Sequence, residues 1–257
     1  MIKAIFLDID GTLVSFETHR VPENTLNALH EVRKKGVKIF IATGRHISDR
    51  IKYCDFEFDG YITLNGAYCN VGSEVVFKKA IPREDIEAFV RYEEEVAPLP
   101  CYFIESDSIS ANMKDKIMEQ MREYIKFPPR PIIPSRKFID KEIFQLTTFF
   151  PIEHEEKIMK CFPGCVATRW FPSFADINAR GVDKSVGLEK IGEYFGFGRD
   201  EMMSFGDGGN DISMIKYAGT GIAMGNAGEE VKLAADYITT SVDDDGIGNA
   251  LRYFGVL

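Results

Sequence analysis

The feature that most constrains the fold is an alternation of short apolar runs with helical segments, found near both ends of the chain. Near the amino terminus, IKAIFL is followed by Leu26, Leu29 and Val32 at helical spacing and then by the apolar run VKIFIA. The last third repeats this order, with helical segments around the runs EMMSF and TGIAM. Strands that alternate with helices predict a parallel sheet with helices on both faces. We therefore expect an α/β fold with a Rossmann-like parallel sheet as its core.

The middle of the chain has a different pattern. Between residues 83 and 183, helical segments are followed by paired apolar runs such as PCYFIESDSIS and CVATRWFPSFADIN, which are typical of antiparallel strands. We predict that an α+β domain, residues 83–183, is inserted into a core domain made of residues 1–82 and 184–257. A short polar helix is also expected from about His46.

The charge balance limits the partners that the chain can bind. Its 31 Lys and Arg residues and 40 Asp and Glu residues give a formal net charge of -9. Nucleic acids and anionic membranes are bound through an excess of positive charge, so we expect neither as a partner. The first apolar run is too short for a signal peptide or a membrane span, and the five cysteines lack the spacing of a zinc or redox site. We expect a cytoplasmic protein that is a monomer or a weak homo-oligomer.

Carboxylates stand where two apolar runs of the predicted sheet end. Asp8 and Asp10 follow IKAIFL, and the strand period of two aims both side chains toward the same side. Asp207 follows a second run, and Asp211 comes shortly after it. A strand running into a turn would explain the first pair alone, and a helix N-cap would explain Asp211 alone. Carboxylates from two strand ends at one sheet edge, however, form a cluster of like charge that suits Mg²⁺.

Two further elements could bind an anion at this edge. The segment IATGR places Thr43 and the amide of Gly44 between a strand and a helix, which is a natural phosphate cradle. Lys184 lies in the first turn of the helix after Gly181, where a positive charge opposes the helix dipole. A solvated surface lysine is the commoner explanation of such a residue when it is taken alone.

Taken together, these motifs resemble those of the haloacid-dehalogenase superfamily. DIDGTL at residues 8–13, the threonine of IATGR, a lysine before the last third and GDGGND at residues 206–211 are similar to its four ordered motifs. The insertion between the second and third motifs is similar to the cap domain of the Cof-like branch, which contains sugar-phosphate phosphatases of the hexose phosphate type. The resemblance spans the whole chain. Ser185 departs from it, because many relatives have glycine after the lysine.

The resemblance implies a role for each motif residue. Asp8 would be the nucleophile, and Asp10 would be the general acid and base. The Mg²⁺ ion would be held by Asp8, the main-chain carbonyl of Asp10 and Asp207, with Asp211 ordering its surroundings. The phosphoryl group would be bound by Thr43 and Lys184, together with the Gly44 amide, and Asn210 would hold the lysine or the phosphate.

Substrate choice is expected to depend on residues outside these motifs, which contact only the phosphate. Arg169 and Asp176 lie in the CVATRWFPSFADIN hairpin and could contact sugar hydroxyls or face solvent. Asn65 and Gly66 could form a hairpin turn, a hinge or a substrate contact. Arg45 could bind substrate or pair with an acid.

The implied activity is Mg²⁺-dependent hydrolysis of small phosphorylated metabolites, notably hexose phosphates, through an aspartyl-phosphate intermediate. One alternative is a phosphomutase of the phosphomannomutase type, which would use the same intermediate. A second is a non-catalytic sugar-phosphate sensor. Related transport ATPases carry threonine two residues after the nucleophile and retain their intermediate, so Asp10 favours turnover.

Overall fold

The computed structural model describes residues 1–47, 55–124 and 127–257, with the main chain only at Trp170. The helix predicted from about His46 falls largely on residues 48–54, outside the described part of the chain. The described residues form two compact units. The first unit comprises Met1–Arg45, the described part of Asp49–Phe77, and Asp183–Leu257; the second comprises Lys78–Val182 with His46 and Ile47.

The strands and helices are numbered in chain order over the described residues. The strands are β1 Ala4–Leu7, β2 Lys38–Ala42, β3 Gly60–Thr63, β4 Tyr68–Val71, β5 Glu74–Lys78, β6 Cys101–Ile104, β7 Ile109–Ala111, β8 Gln145–Phe149, β9 Cys165–Phe171, β10 Phe174–Ala179, β11 Met202–Gly206, β12 Thr220–Ala223 and β13 Tyr237–Ile238. The helices are α1 Glu23–Lys34, α2 Arg83–Glu95, α3 Lys116–Tyr124, α4 Glu155–Met159, α5 Lys184–Phe195, α6 Ile212–Tyr217, α7 Glu229–Ala234 and α8 Gly246–Tyr253.

The first unit is built on one sheet with the strand order β13-β12-β11-β1-β2-β3-β4-β5. Neighbouring strands from β13 to β3 are parallel, whereas β4 runs antiparallel to β3. The prediction of an α/β fold with a mostly parallel core sheet is therefore confirmed.

Strand β1 lies inside this sheet, and its side chains are buried on both faces. Ile5 and Leu7 pack in one hydrophobic cluster with Leu29 of α1. Phe6 packs in a second cluster with Leu188 of α5. A strand covered on both faces has no polar side to display, which explains its continuous apolar run. Burying each of these large side chains contributes on the order of 1.5–3 kcal/mol.

The strand order places three chain exits at one edge of the sheet. Strands β11, β1 and β2 are adjacent and parallel, with Ile5 paired to Met203 on one side and to Ile39 on the other. The residues that follow these strands therefore leave the sheet at the same edge. These residues are Asp207, Asp8 and Thr43.

The second unit has a sheet with the order β7-β6-β8-β10-β9, in which the strands are antiparallel. Its core contains Phe89 of α2, Phe103 of β6 and Phe138, and the rings of Phe103 and Phe138 stack with centroids 4.3 Å apart. The unit thus has the α+β composition expected of the middle of the chain. The assignment of the units as catalytic core and substrate-specificity domain, with the predicted bounds, stays a prediction.

Helix α8 was not foreseen from the sequence. It contains Gly246 and Gly248, which lower intrinsic helix propensity by roughly 1 kcal/mol each relative to alanine. Ile247 and Leu251 are nevertheless buried in the cluster on the α1 side of the sheet. Burial of these two side chains outweighs the weak local preference. Within the described residues, no helix combines the length and apolar character needed to cross a membrane.

Candidate active site

A buried lysine joins two carboxylates at the carboxyl edge of the sheet. The Nζ atom of Lys184 donates hydrogen bonds to Asp8 Oδ1 at 2.6 Å and to Asp211 Oδ1 at 2.5 Å. Lys184 and Asp211 are both 0% exposed. Such a charge is tolerated in the interior only when it is paired and hydrogen-bonded. Lys184 is therefore part of a closed charge cluster and is not a solvated lysine.

The position of Lys184 follows from how α5 begins. Asp183 is the N-cap, and its Oδ1 accepts hydrogen bonds from the amides of Ser185 at 2.8 Å and Val186 at 3.3 Å. The Ser185 hydroxyl donates to the same oxygen at 2.5 Å. The residue that departs from the resemblance thus strengthens the cap. The two carboxylates bound to Lys184 offset its unfavourable place at the positive end of the helix.

Three carboxylates of this cluster could hold a metal ion. Asp8, Asp207 and Asp211 each offer an oxygen within 4.8 Å of the others. Burial, reinforced by the charge of Asp211, raises the pKa of Asp8 well above its ordinary value. Burial and Asp211 also raise the pKa of Asp207 to about 7, although a 2.7 Å hydrogen bond from the Thr12 hydroxyl acts in the opposite direction.

Besides being buried, the cluster contains more carboxylates than positive side chains. Burial opposes a charged Lys184, but the charges of Asp211 and Asp8 outweigh it, so the pKa of Lys184 lies above its ordinary value. One lysine charge still faces three carboxylates. Hard oxygen donors with excess negative charge fit a divalent cation such as Mg²⁺.

Asp10 lies in the turn after β1 and is bound by Arg45. Arg45 Nε donates to Asp10 Oδ2 at 2.7 Å, and Arg45 Nη2 donates to Asp10 Oδ1 at 2.6 Å. Of the two possibilities left open for Arg45, the structure shows the ion pair with an acid.

Three of the predicted phosphate-binding residues, Thr43, Gly44 and Asn210, lie next to Asn65, whose amide donates to the Thr43 carbonyl oxygen at 3.1 Å. Thr43 is buried, and its Oγ1 accepts the amide of Arg45 at 3.1 Å. Gly44 passes so close to Asn65 that an added Cβ would lie 3.0 Å from Asn65 Oδ1. The same oxygen accepts a hydrogen bond from Asn210 Nδ2 at 3.0 Å. The described hydrogen bond of Asn210 thus goes to Asn65, and its predicted contact with the lysine or the phosphate stays a prediction.

The loop between β3 and β4 has an unusual backbone. Leu64, Asn65 and Gly66 have φ angles of 52°, 54° and 96°, all in the left-handed region. Thr63 and Tyr68 pair across the antiparallel strands, so this loop is a hairpin turn. Non-glycine residues in this region cost about 1–3 kcal/mol each and persist where surrounding contacts hold them. Here Asn65 is held by its contacts with Gly44 and Asn210.

Gly66 lies close to the main chain of Asp183, and we expect its replacement by alanine to lower the free energy of unfolding. An added Cβ would lie 2.1 Å from the carbonyl oxygen of Asp183, next to Lys184. For Gly66→Ala we expect a loss of unfolding free energy above roughly 3 kcal/mol, combining backbone strain with displacement of Asp183. Gly36→Ala is the control, because Gly36 has φ 84° but no atom within 4 Å of an added Cβ.

The control should cost only about 1–2 kcal/mol, the strain of the left-handed backbone alone. Urea denaturation followed by circular dichroism measures both values. Equal losses of unfolding free energy in Gly66→Ala and Gly36→Ala would show that the close approach of Gly66 to Asp183 does not add to the loss.

Arg169 and Asp176 lie in the second unit. Arg169 is ion-paired with Glu155 and donates to the carbonyl oxygens of Pro172, Phe174 and Phe150 at 2.9, 3.0 and 3.1 Å. These contacts tie the β9–β10 hairpin together. Asp176 is 4% exposed, and its Oδ1 accepts the Thr147 hydroxyl at 2.7 Å. Their roles toward a substrate stay predictions.

Comparison with known proteins identifies the family. The model of the family described as haloacid dehalogenase-like hydrolase matches residues 5–251. The chain belongs to this family. The Bacillus subtilis (strain 168) protein YkrA is 33% identical over 260 residues, covering 99% of this chain and 98% of the relative. In the same organism, the 5-amino-6-(5-phospho-D-ribitylamino)uracil phosphatase YcsE is 29% identical, covering 98% of this chain and 96% of its own length.

Solved structures of haloacid dehalogenase-like hydrolases share the fold. The HAD subclass IIB sugar phosphatase BT4131 has a TM-score of 0.89 and 44% identity, covering 99% of this chain and all of the other. BT1666 from Bacteroides thetaiotaomicron, studied as one of the phosphatases of the superfamily, has a TM-score of 0.93 and 40% identity, covering all of this chain and 96% of the other. The predictions of the superfamily and of an enzyme of its phosphatase type are confirmed.

Two residues of this haloacid dehalogenase-like site were missed in the sequence analysis. Thr12, within DIDGTL, is fully buried and binds Asp207 as described above. Asn226 donates to the Gly11 carbonyl at 2.8 Å and, more weakly, to Asp207 Oδ2 at 3.4 Å, while its own Oδ1 accepts the amide of Val242 at 3.1 Å. Its position just after β12, the neighbour of β11, was the signal that could have identified it.

Proposed function

We propose that this chain is an Mg²⁺-dependent phosphatase that hydrolyses small phosphorylated metabolites, hexose phosphates above all, through an aspartyl-phosphate on Asp8. The observation that carries the proposal is the cluster of Asp8, Lys184, Asp207 and Asp211 at one sheet edge. The description of BT4131 as a sugar phosphatase supports a sugar phosphate as substrate. The name of YcsE supports the wider class of small phosphorylated metabolites.

The main difficulty of this chemistry is the electrostatic repulsion between the attacking carboxylate and the phosphate. A carboxylate that approaches a phosphate meets a repulsion of roughly 4 kcal/mol per pair of unit charges at about 4 Å, for an effective dielectric constant of about 20. Lys184 offsets part of this repulsion. Mg²⁺, held by Asp8, the Asp10 carbonyl and Asp207 with support from Asp211, would supply the remaining positive charge.

The protein groups would then act in two steps. An oxygen of Asp8 attacks the phosphorus, the bond from phosphorus to the sugar oxygen breaks, and Asp10 donates a proton to that oxygen. In the second step Asp10 removes a proton from a water molecule that attacks the phosphorus. Inorganic phosphate leaves, and the carboxylate of Asp8 is restored. Thr43, the Gly44 amide, Lys184 and Asn210 would bind the phosphoryl oxygens.

We further propose that residues 83–183 select the leaving group, since the groups above act only on the phosphoryl end. The candidate substrate residues are Arg45, Asn65, Gly66, Arg169 and Asp176. We also propose a cytoplasmic location and a monomer or a weak homo-oligomer. Because the net charge is -9, a small anionic substrate needs a local positive site, which Lys184 would help to supply.

A phosphate-release screen tests the proposal. With MgCl₂, the purified protein is expected to release inorganic phosphate from hexose 6-phosphates. EDTA should reduce this release at least about 100-fold, and excess Mg²⁺ should restore it, because the carboxylate cluster alone leaves the repulsion unbalanced.

Two results would contradict the proposal. Transfer of phosphate between positions of the sugar without release would show a phosphomutase. Saturable binding of hexose 6-phosphates with no turnover, measured by calorimetry, would show a sensor.

A further inference from the structure

The general acid proposed above is held by an arginine whose role nothing else in the site explains. The Arg45 guanidinium contacts both carboxylate oxygens of Asp10, Nε to Oδ2 at 2.7 Å and Nη2 to Oδ1 at 2.6 Å. Paired, parallel hydrogen bonds of this kind fix the plane of a carboxylate as well as its position. The Arg45 side chain is less exposed than that of Asp10, at 21% against 37%.

Arg45 is itself anchored to the phosphate-binding segment. Its amide donates to Thr43 Oγ1 at 3.1 Å, and its carbonyl oxygen accepts the amide of Leu64 at 3.2 Å. Leu64 begins the turn with left-handed backbone angles. The arginine therefore connects the segment expected to bind the phosphoryl group with the carboxylate expected to transfer the proton.

Proton transfer needs this kind of support. The transferring oxygen must lie about 2.6–3.2 Å from the leaving-group oxygen, and an Asp side chain in a turn has two torsions that could move it away. Each carboxylate oxygen can accept more than one hydrogen bond, so the guanidinium leaves room for a proton on Asp10.

We propose that Arg45 is a positioning residue that orients the Asp10 carboxylate for proton transfer to the leaving group. This inference rests on the proposed phosphatase function. It does not require a direct contact between Arg45 and the sugar.

Leaving-group dependence separates this role from a structural one. An alkoxide leaving from a hexose 6-phosphate needs a proton, whereas p-nitrophenolate leaves readily without one. The ratio kcat/KM covers the steps up to formation of the aspartyl-phosphate, where Asp10 acts as the acid. General acid catalysis contributes about 10²–10⁴-fold, so Arg45→Met should lower the ratio of kcat/KM for hexose 6-phosphate to kcat/KM for p-nitrophenyl phosphate at least about 10-fold.

A double-mutant cycle tests whether Arg45 acts through Asp10. Asp10→Asn should lower the same ratio, and adding Arg45→Met to it should cause less than about a 3-fold further change. The ratio for Arg45→Lys should fall between those of wild type and Arg45→Met, because an ammonium cannot reproduce the two parallel hydrogen bonds of a planar guanidinium. Arg252→Met is the matched control, since Arg252 forms an exposed pair with Asp245 and should leave the ratio at its wild-type value.

The outcomes distinguish the inference from the function on which it rests. If the wild-type protein releases phosphate from neither compound, the proposed function fails before any variant is compared. If wild type is active and Arg45→Met lowers both kcat/KM values equally, or only raises KM for hexose 6-phosphate, the positioning role is wrong. Should Arg45→Met fail to fold, as seen by circular dichroism, an unchanged ratio in Arg45→Lys overturns the inference and a lowered one supports it.

Discussion

Replacement of Asp8 by asparagine is expected to lower kcat for phosphate release by at least about 10⁴-fold while the protein still folds. Asparagine has nearly the same shape, but its amide cannot form the acyl-phosphate. Its side-chain oxygen can still accept the hydrogen bond from Lys184. The change also removes one charge from a cluster in which burial and Asp211 raise the pKa of Asp8, so we expect no large loss of stability.

Release of inorganic phosphate and thermal unfolding measure the two parts of this prediction. Asp140→Asn is the control, because Asp140 forms an exposed pair with Arg83 in the second unit and should change neither quantity. A rate for Asp8→Asn close to that of wild type would refute the assignment of the nucleophile.

Replacement of Lys184 by methionine should affect stability and activity together. Lys184 is completely buried between Asp8 and Asp211, and removing one partner of a buried charge pair typically costs about 3–5 kcal/mol. We expect a loss of this size in unfolding free energy in EDTA, where no divalent cation can replace the lysine charge. With Mg²⁺ present, phosphate release should still fall at least about 100-fold, because positive charge at the phosphoryl group is lost.

Lys190→Met provides a matched control on the same helix. Lys190 pairs with Glu193 at the surface, where such a pair contributes at most about 1 kcal/mol. Urea denaturation of both variants in EDTA gives the comparison. Equal stabilities of Lys184→Met and Lys190→Met would mean that Lys184 does not balance the carboxylates of the cluster.

The strands of the core were predictable because of how they are buried. Strands β1, β2 and β11 are largely covered on both faces, so each appears as a predominantly apolar run that can be recognised in the sequence alone. Helix α8 was not predictable in this way. Its two glycines oppose a helix locally, and only packing of Ile247 and Leu251 against the core explains why it forms.

The residues of the candidate site differ in the same way. The motifs that contain Asp8, Thr43 and Asp207 could be read directly, because a polar residue after an apolar run marks the end of a strand. The side chains that bind these motifs could not be predicted from the sequence, because they lie far away along the chain. Asn226 lies 215 positions from Gly11, and Arg45 lies 35 positions from Asp10.

The sequence by itself determined the strands of the core sheet, the acids at their ends and the resemblance to a phosphatase family, because each depends on the order of neighbouring residues. Only the tertiary structure decided which side chains meet. Lys184 lies 176 positions from Asp8 and 27 positions from Asp211 in the sequence. Its charge is tolerated in the interior because it forms hydrogen bonds with both carboxylates. Hydrophobic periodicity reports whether a residue is buried, whereas charge pairing depends on the order in which distant strands assemble into one sheet.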